Sequence, residues 1–157
     1  IYSGTVGAAL EGRFLGILAL AVSLAGAKVK HHTSPKAYEV AAELVKQLIE
    51  HWHELQLPAH NIINMNIPDL PLAEIKGHKL THLGKRQRGL SIDKSHDPRG
   101  RAVYWIGLAG EPMPMQEDTD FYVVNQCYVS LTPLQTDLTS HEALPPLNDW
   151  LQRKSGV

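Results

Sequence analysis

The sequence is short of cysteine, of aromatic residues and of net charge. A single cysteine, Cys127, among 157 residues leaves no partner for an internal disulfide and fits a reducing, cytoplasmic setting. Fifteen basic side chains face sixteen acidic ones, a formal net charge of −1, so no global field draws the protein onto nucleic acid or an anionic membrane. No apolar run is long enough to span a bilayer. The stretch 14–27 (FLGILALAVSLAGA) has the look of a signal-peptide core, but Glu11, Gly12 and Arg13 interrupt its approach. It reads as a buried helix end followed by a buried strand. An initiator methionine is also absent, and the opening on Ile1 is read as truncation of a longer protein.

What remains is ordinary globular material: 43% hydrophobic and 20% charged residues, in a chain long enough for one real core. Ser3 or Thr5 can cap a helix in which Val6, Ala9, Leu10, Phe14 and Leu15 recur at helical spacing. The uniformly apolar 19–24 (ALAVSL) suits a strand covered on both faces, as in a parallel sheet. Thr33-Ser34-Pro35 opens a second helix running to about Leu55. Its expected buried stripe is Tyr38, Ala41, Ala42, Val45, Leu48, Ile49 and Trp52. A strand with alternating side chains follows at 61–68 (NIINMNIP). Residues 1–73 thus read as part of an α/β layer fold.

From Glu74 the pattern shortens. Residues 76–83 and 102–108 (AVYWIGL) alternate, and 120–131 (DFYVVNQCYVSL) is the strongest strand candidate. Residues 74–143 are therefore expected to form a β-rich extension with an exposed, charged loop at 86–101. A helix at 144–153, started by Pro145-Pro146, lies in the terminal segment 144–157.

Chemistry concentrates at the opening turn. A helix N-terminus presents unpaired N–H groups, and Ser3, Gly4 and Thr5 would let an anion such as phosphate approach the backbone. On the motif alone, plain N-capping is the stronger reading and anion binding the alternative. Nine histidines raise the question of a metal, but His31-His32, His51/His53 and His78/His82 lack the spacing of a shared ion, and no familiar metal motif is present. Glu117, Asp118 and Asp120 could bind a cation, although turn solvation explains them. Arg86, Arg88, Arg99 and Arg101 could greet a phosphorylated substrate or simply solvate a loop. Asp137 and His141 read as a structural hinge in which Asp137 bonds His141 or nearby backbone and directs the terminal helix.

Taken together the chain resembles the SurE family of survival-protein nucleotidases. The likeness rests on Tyr2-Ser3-Gly4-Thr5-Val6 with Glu11-Gly12; Ala21-Val22-Ser23-Leu24; and Asn64-Met65-Asn66-Ile67-Pro68. It continues through Asp97-Pro98-Arg99-Gly100-Arg101 with Tyr104-Trp105-Ile106-Gly107, then Thr119-Asp120-Phe121, then 128–134 (YVSLTPL) with Asp137-Leu138-Thr139. The resemblance implies a partial Rossmann-like α/β/α core, with a β-rich C-terminal extension that makes homodimers or homotetramers and exchanges its terminal helix between subunits. It implies a phosphatase acting on nucleoside 5′- and 3′-monophosphates, and on short polyphosphate, using Mg²⁺ or Mn²⁺ whose ligands are expected upstream of Ile1. The alternative is a non-catalytic nucleotide-binding or oligomerisation piece. Under the resemblance Ser3, Gly4 and Thr5 become phosphate-binding residues, and no metal ligand falls in this chain. Three departures stand out: Cys127 and Asp118 occupy positions where the family usually has glycine, and Ile17-Leu18 replace an aromatic-proline pair.

Overall fold

The computed structural model describes residues 3–25, 35–58, 61–89, 92–105, 107, 110–113 and 117–154. Helix α1 (Gly4–Gly12) leads through a 3-10 turn (Arg13–Leu15) into strand β1 (Ala19–Ala25). Helix α2 (Pro35–Glu50) precedes strand β2 (Ile62–Pro68), and a short strand β3 (His78–Leu80) follows. Strands β4 (Asp93–His96) and β5 (Ala102–Trp105), helix α3 (Asp120–Asn125), strand β6 (Val129–Leu134) and helix α4 (Leu144–Lys154) complete the order.

Four strands make one mixed sheet in the order β1-β2-β6-β3. β1 lies parallel to β2, β6 runs antiparallel to β2, and β3 is parallel to β6. α2 packs Ala41 and Leu44 against Met65, Ile67 and Val129 on one face. α1 packs Ala9 against Ala21 and Ile62 on the other. Helices on both faces of a sheet give the expected three-layer α/β arrangement.

The central strand β2 shows why the fold holds. Six of its seven residues are buried, with Ile62, Met65 and Ile67 fully enclosed. Truncating a side chain such as Met65 to alanine would cost about 2–5 kcal/mol, a large fraction of a domain's margin of about 5–15 kcal/mol. The sequence pattern suggests alternation here, but a strand with neighbours on both edges and helices on both faces buries nearly every position.

Several elements differ from the sequence expectation. Residues 120–131 are not one strand. Thr119 accepts the Tyr122 N–H through Oγ1 (3.4 Å) and starts α3, which buries Val123 and Val124. A capping threonine followed by an aspartate outweighs the β propensity of Phe121-Tyr122-Val123-Val124. The α2 stripe is met in part: Ala41, Val45 and Leu48 pack on the core as expected, Ala37 and Leu44 join them, and Tyr38, Ala42 and Ile49 are exposed. Small alanines let the helix approach the sheet, which selects that face. α2 also ends at Glu50, and a 3-10 turn (Trp52–Glu54) replaces its expected last turn. Phe14 and Leu15 sit exposed in the 3-10 turn rather than on the α1 face. The start signal Thr33-Ser34 lies outside the described residues, as do Tyr2, His31 and His32.

The part from Glu74 onward is shared between two sheets. β3 and β6 belong to the core sheet, whereas β4 and β5 form a separate antiparallel hairpin. The charged segment 86–101 is thus partly a strand. Its turn is fixed by Asp97, whose Oδ1 accepts the N–H groups of Arg99 and Arg101 at 2.8 and 2.9 Å. α4 buries none of its residues.

Candidate functional site

The two faces of the core sheet carry different chemistry. Alternate positions of β1, β2 and β6 (Leu20, Val22, Leu24; Met65, Ile67; Val129, Leu131) pack with the α2 cluster. Their neighbours on the α1 side begin apolar, with Ala21 and Ile62, and then turn polar. In register there, Ser23 pairs with Asn66, Asn66 with Ser130, and Asn64 with Thr132. Period-two alternation sends all of these to one face. Asn64, Ser130 and Thr132 are buried, which is costly unless their polar atoms are partnered. Asn66 Nδ2 donates to Ser130 Oγ at 3.3 Å, and Thr132 Oγ1 lies 2.7 Å from Thr81 Oγ1.

α1 aims its N-terminus at this row. Ser3 is its N-cap, with Oγ accepting the Val6 N–H at 3.3 Å. The serine proton remains a donor, because a hydroxyl can accept one bond while giving another. A cavity of about 430 Å³ opens between them, lined by Ser3, Val6, Gly7, Leu10, Ser23, Asn64, Asn66, Leu83, Asp120, Leu134, Gln135, Thr136 and Leu138. Of the three residues expected to hold phosphate, Ser3 lines this space. Gly4 and Thr5 form the exposed first turn beside it and are not among its walls.

Asp120 closes one side. It is buried, and its Oδ1 accepts the N–H of Gly84 at 2.8 Å and of Phe121 at 2.9 Å. A second cavity of about 540 Å³ shares Ser23, Asn66 and Asp120 with the first and continues past Arg86, Glu111, Phe121 and Asn125. Sequence reasoning treated Asp120 as turn solvation and overlooked Asn64, Asn66 and Ser23. The legible signal was polar residues at every second position of otherwise apolar strands.

The arginines expected to cluster are divided. Arg86 stands over the Phe121 ring, 4.6 Å from its centroid, while Arg101 is tied to Asp97 at 2.8 Å in the β4–β5 turn. The Arg101 backbone N–H first, then the Arg101 side chain and the Arg99 N–H, hold the Asp97 carboxyl below its ordinary range. Asp118 sits 3.5 Å from His82 Nδ1 at the surface, so the acidic group of 117–120 does not converge. Among the described residues no three His, Cys, Asp or Glu side chains come together in a way that could hold a metal ion. The described residues therefore offer no ready divalent-cation site.

Asp137 and His141 do meet. Asp137 Oδ2 lies 2.7 Å from His141 Nε2, and Oδ1 accepts the Thr139 N–H at 2.8 Å. Hydrogen bonds from Thr139, and then from His141, pull the Asp137 pKa down to about 2. The pair lies where the chain leaves β6 for α4.

The chain is similar to proteins of one family. Residues 1–89 match the family described as survival protein SurE. The 5′-nucleotidase SurE of Actinobacillus succinogenes is 48% identical over 154 residues, covering 98% of this chain and 59% of that protein. The 5′-nucleotidase SurE of Halorhodospira halophila is 46% identical over 151 residues, covering 96% of this chain and 58% of that one. The crystal structure of the SurE protein from Aquifex aeolicus superposes with a TM-score of 0.72 at 36% identity, covering 96% of this chain and 58% of its own. The chain thus spans somewhat under three-fifths of the relatives it matches.

Proposed function

The chain belongs to the SurE survival-protein family, and from that membership we propose that the full-length protein is a phosphatase of nucleoside monophosphates. The observation that supports this reading is the meeting of the α1 N-terminus with a buried polar row around one cavity. Phosphate would sit at Ser3, where the first-turn amides of Gly4 and Thr5 and the helix dipole favour negative charge. Ser3 Oγ–H donates to a phosphoryl oxygen, and the Asn64 and Asn66 amides orient the ester side. Such fixed donors act where charge shifts during phosphoryl transfer. Substrates of this reading include 5′- and 3′-monophosphates and short polyphosphate.

The Mg²⁺ or Mn²⁺ implied by the resemblance would draw its ligands from outside these 157 residues. When bound it would supply charge neutralisation on the phosphoryl group. Ser3→Ala in the full-length protein is expected to lower kcat/KM for a nucleoside 5′-monophosphate about 10- to 100-fold, with circular dichroism unchanged. An unaltered rate would remove Ser3 from the site.

A second reading, a non-catalytic nucleotide-binding or oligomerisation piece, draws support from the lack of a three-ligand cluster among the described residues. A Mn²⁺-supplemented phosphatase assay on the 157-residue chain separates the two. Turnover by this chain alone would contradict the external placement of the metal ligands. Self-association into a dimer or tetramer belongs to the same proposal, with the β4–β5 hairpin and α4 as contact elements. A cytoplasmic location is proposed from the single cysteine; among the described residues no helix is long and apolar enough to cross a membrane.

A further inference from the structure

The second cavity is unexplained by phosphate binding. Its volume of about 540 Å³ falls in the roughly 300–1,000 Å³ range of small-molecule sites. It joins the Ser3 cavity at Ser23, Asn66 and Asp120, and it then runs away from the helix N-terminus. Its outer wall holds a guanidinium stacked over an aromatic ring, which leaves the outer face of the guanidinium open. Arg86 lies 4.6 Å from the Phe121 centroid and donates from Nη1 to the Gly110 carbonyl at 3.1 Å.

That wall is built with little slack. Gln87 N donates to Glu111 O and Met113 N to Lys85 O, each at 2.8 Å, so residues 85–87 and 111–113 are bound side by side. A Cβ on Gly110 would lie 2.4 Å from the Gln87 carbonyl oxygen and 2.6 Å from that of Arg88. A Cβ on Gly84 would lie 2.4 Å from Phe121 Cδ2. Both glycines permit a close backbone approach that sets Arg86 over Phe121. Planar faces of this kind stack heterocyclic bases, and Glu111 and Asn125 supply an acceptor and an amide at the rim.

We infer that this cavity receives the nucleoside half of the substrate and that Arg86 is a specificity-determining residue, stacking on the base while the phosphate occupies the Ser3 cavity. The inference rests on the nucleotidase reading and deepens it. It makes Arg86 a selector of base-bearing esters over phosphate esters that lack a base.

The test uses amide NMR titrations of the full-length protein with three separate probes: adenosine, ribose 5-phosphate and inorganic phosphate. Adenosine is expected to shift Arg86, Phe121 and Asn125. Arg86→Ala should weaken adenosine about tenfold and leave inorganic phosphate unchanged. Arg86→Lys keeps the charge without the plane and should weaken adenosine as well, which a purely electrostatic role would not do. Unchanged adenosine affinity in both variants would overturn the inference, as would adenosine shifts confined to the Ser3 cavity. Phosphate binding at Ser3 without any adenosine binding would leave the phosphatase reading standing and remove this one. Adenosine binding at Arg86 without phosphate binding at Ser3 would remove the phosphate reading and, with it, this inference, which rests on that reading. Absence of both would remove both.

Discussion

Cys127 is the residue whose chemistry is most at odds with its place. It stands at φ +67°, the one non-glycine with positive φ among the described residues. α3 ends there in a Schellman arrangement, with Tyr128 N bonded to Val123 O at 3.1 Å and Cys127 N to Val124 O at 3.0 Å. A left-handed position costs an L-residue about 1–2 kcal/mol, which glycine avoids at some expense in unfolded-chain entropy. Cys127→Gly should therefore stabilise the chain by about 0.5–1 kcal/mol, read as a higher urea midpoint. A lower midpoint would mean that the thiol packs usefully. Asp137 makes a second residue-scale prediction. Its folded pKa of about 2 lies below the ordinary 3.8, so the stability it contributes is whole above that ordinary value and drains as pH falls toward 2. A carboxyl titration by NMR should give a midpoint near 2, and a midpoint near 3.8 would show that the bonds to Thr139 and His141 do not hold in solution.

At the scale of elements, β2 carries both the fold and the site. Its residues Met65 and Ile67 pack on the α2 side, and Asn64 and Asn66 line the cavities. Asn66→Leu removes the donor to Ser130 and puts an apolar group into both cavities. Fold stability should change by no more than about 1–2 kcal/mol, while phosphate or nucleotide affinity falls about tenfold. Retention of full affinity in an isothermal titration would detach the polar row from function. This strand also shows how far the sequence could be read. The layer fold and strands β1 and β2 were legible because buried strands and amphipathic helices announce themselves by composition and period. The helix α3 was not, since its aromatic and β-branched residues favour a strand and the deciding influence is a cap with tertiary packing of Val123 and Val124. Ser3 was legible as a cap, but its partners are about 20, 60 and 117 positions away in sequence (Ser23, Asn64, Asp120), and only the sheet register unites them.

At the scale of the molecule, the apolar surface is unevenly finished. Tyr104 and Trp105 of the hairpin are 61% and 64% exposed, and Leu144, Leu147, Trp150 and Leu151 of α4 are about half exposed. Side chains of this size seldom stand bare in groups on a monomer, which supports the proposed self-association through these elements. Light scattering of the full-length protein should give a dimer or tetramer mass, and a monomer at micromolar concentration would contradict that assembly. The central claim is that phosphate binds where α1 meets the polar row. A crystal structure of the full-length protein with a nucleoside 5′-monophosphate tests it most directly. The account predicts a phosphate oxygen about 2.7–3.1 Å from Ser3 Oγ, with the base running toward Arg86 and Phe121. Phosphate held instead by the hairpin arginines Arg99 and Arg101, with the Ser3 cavity empty, would contradict it.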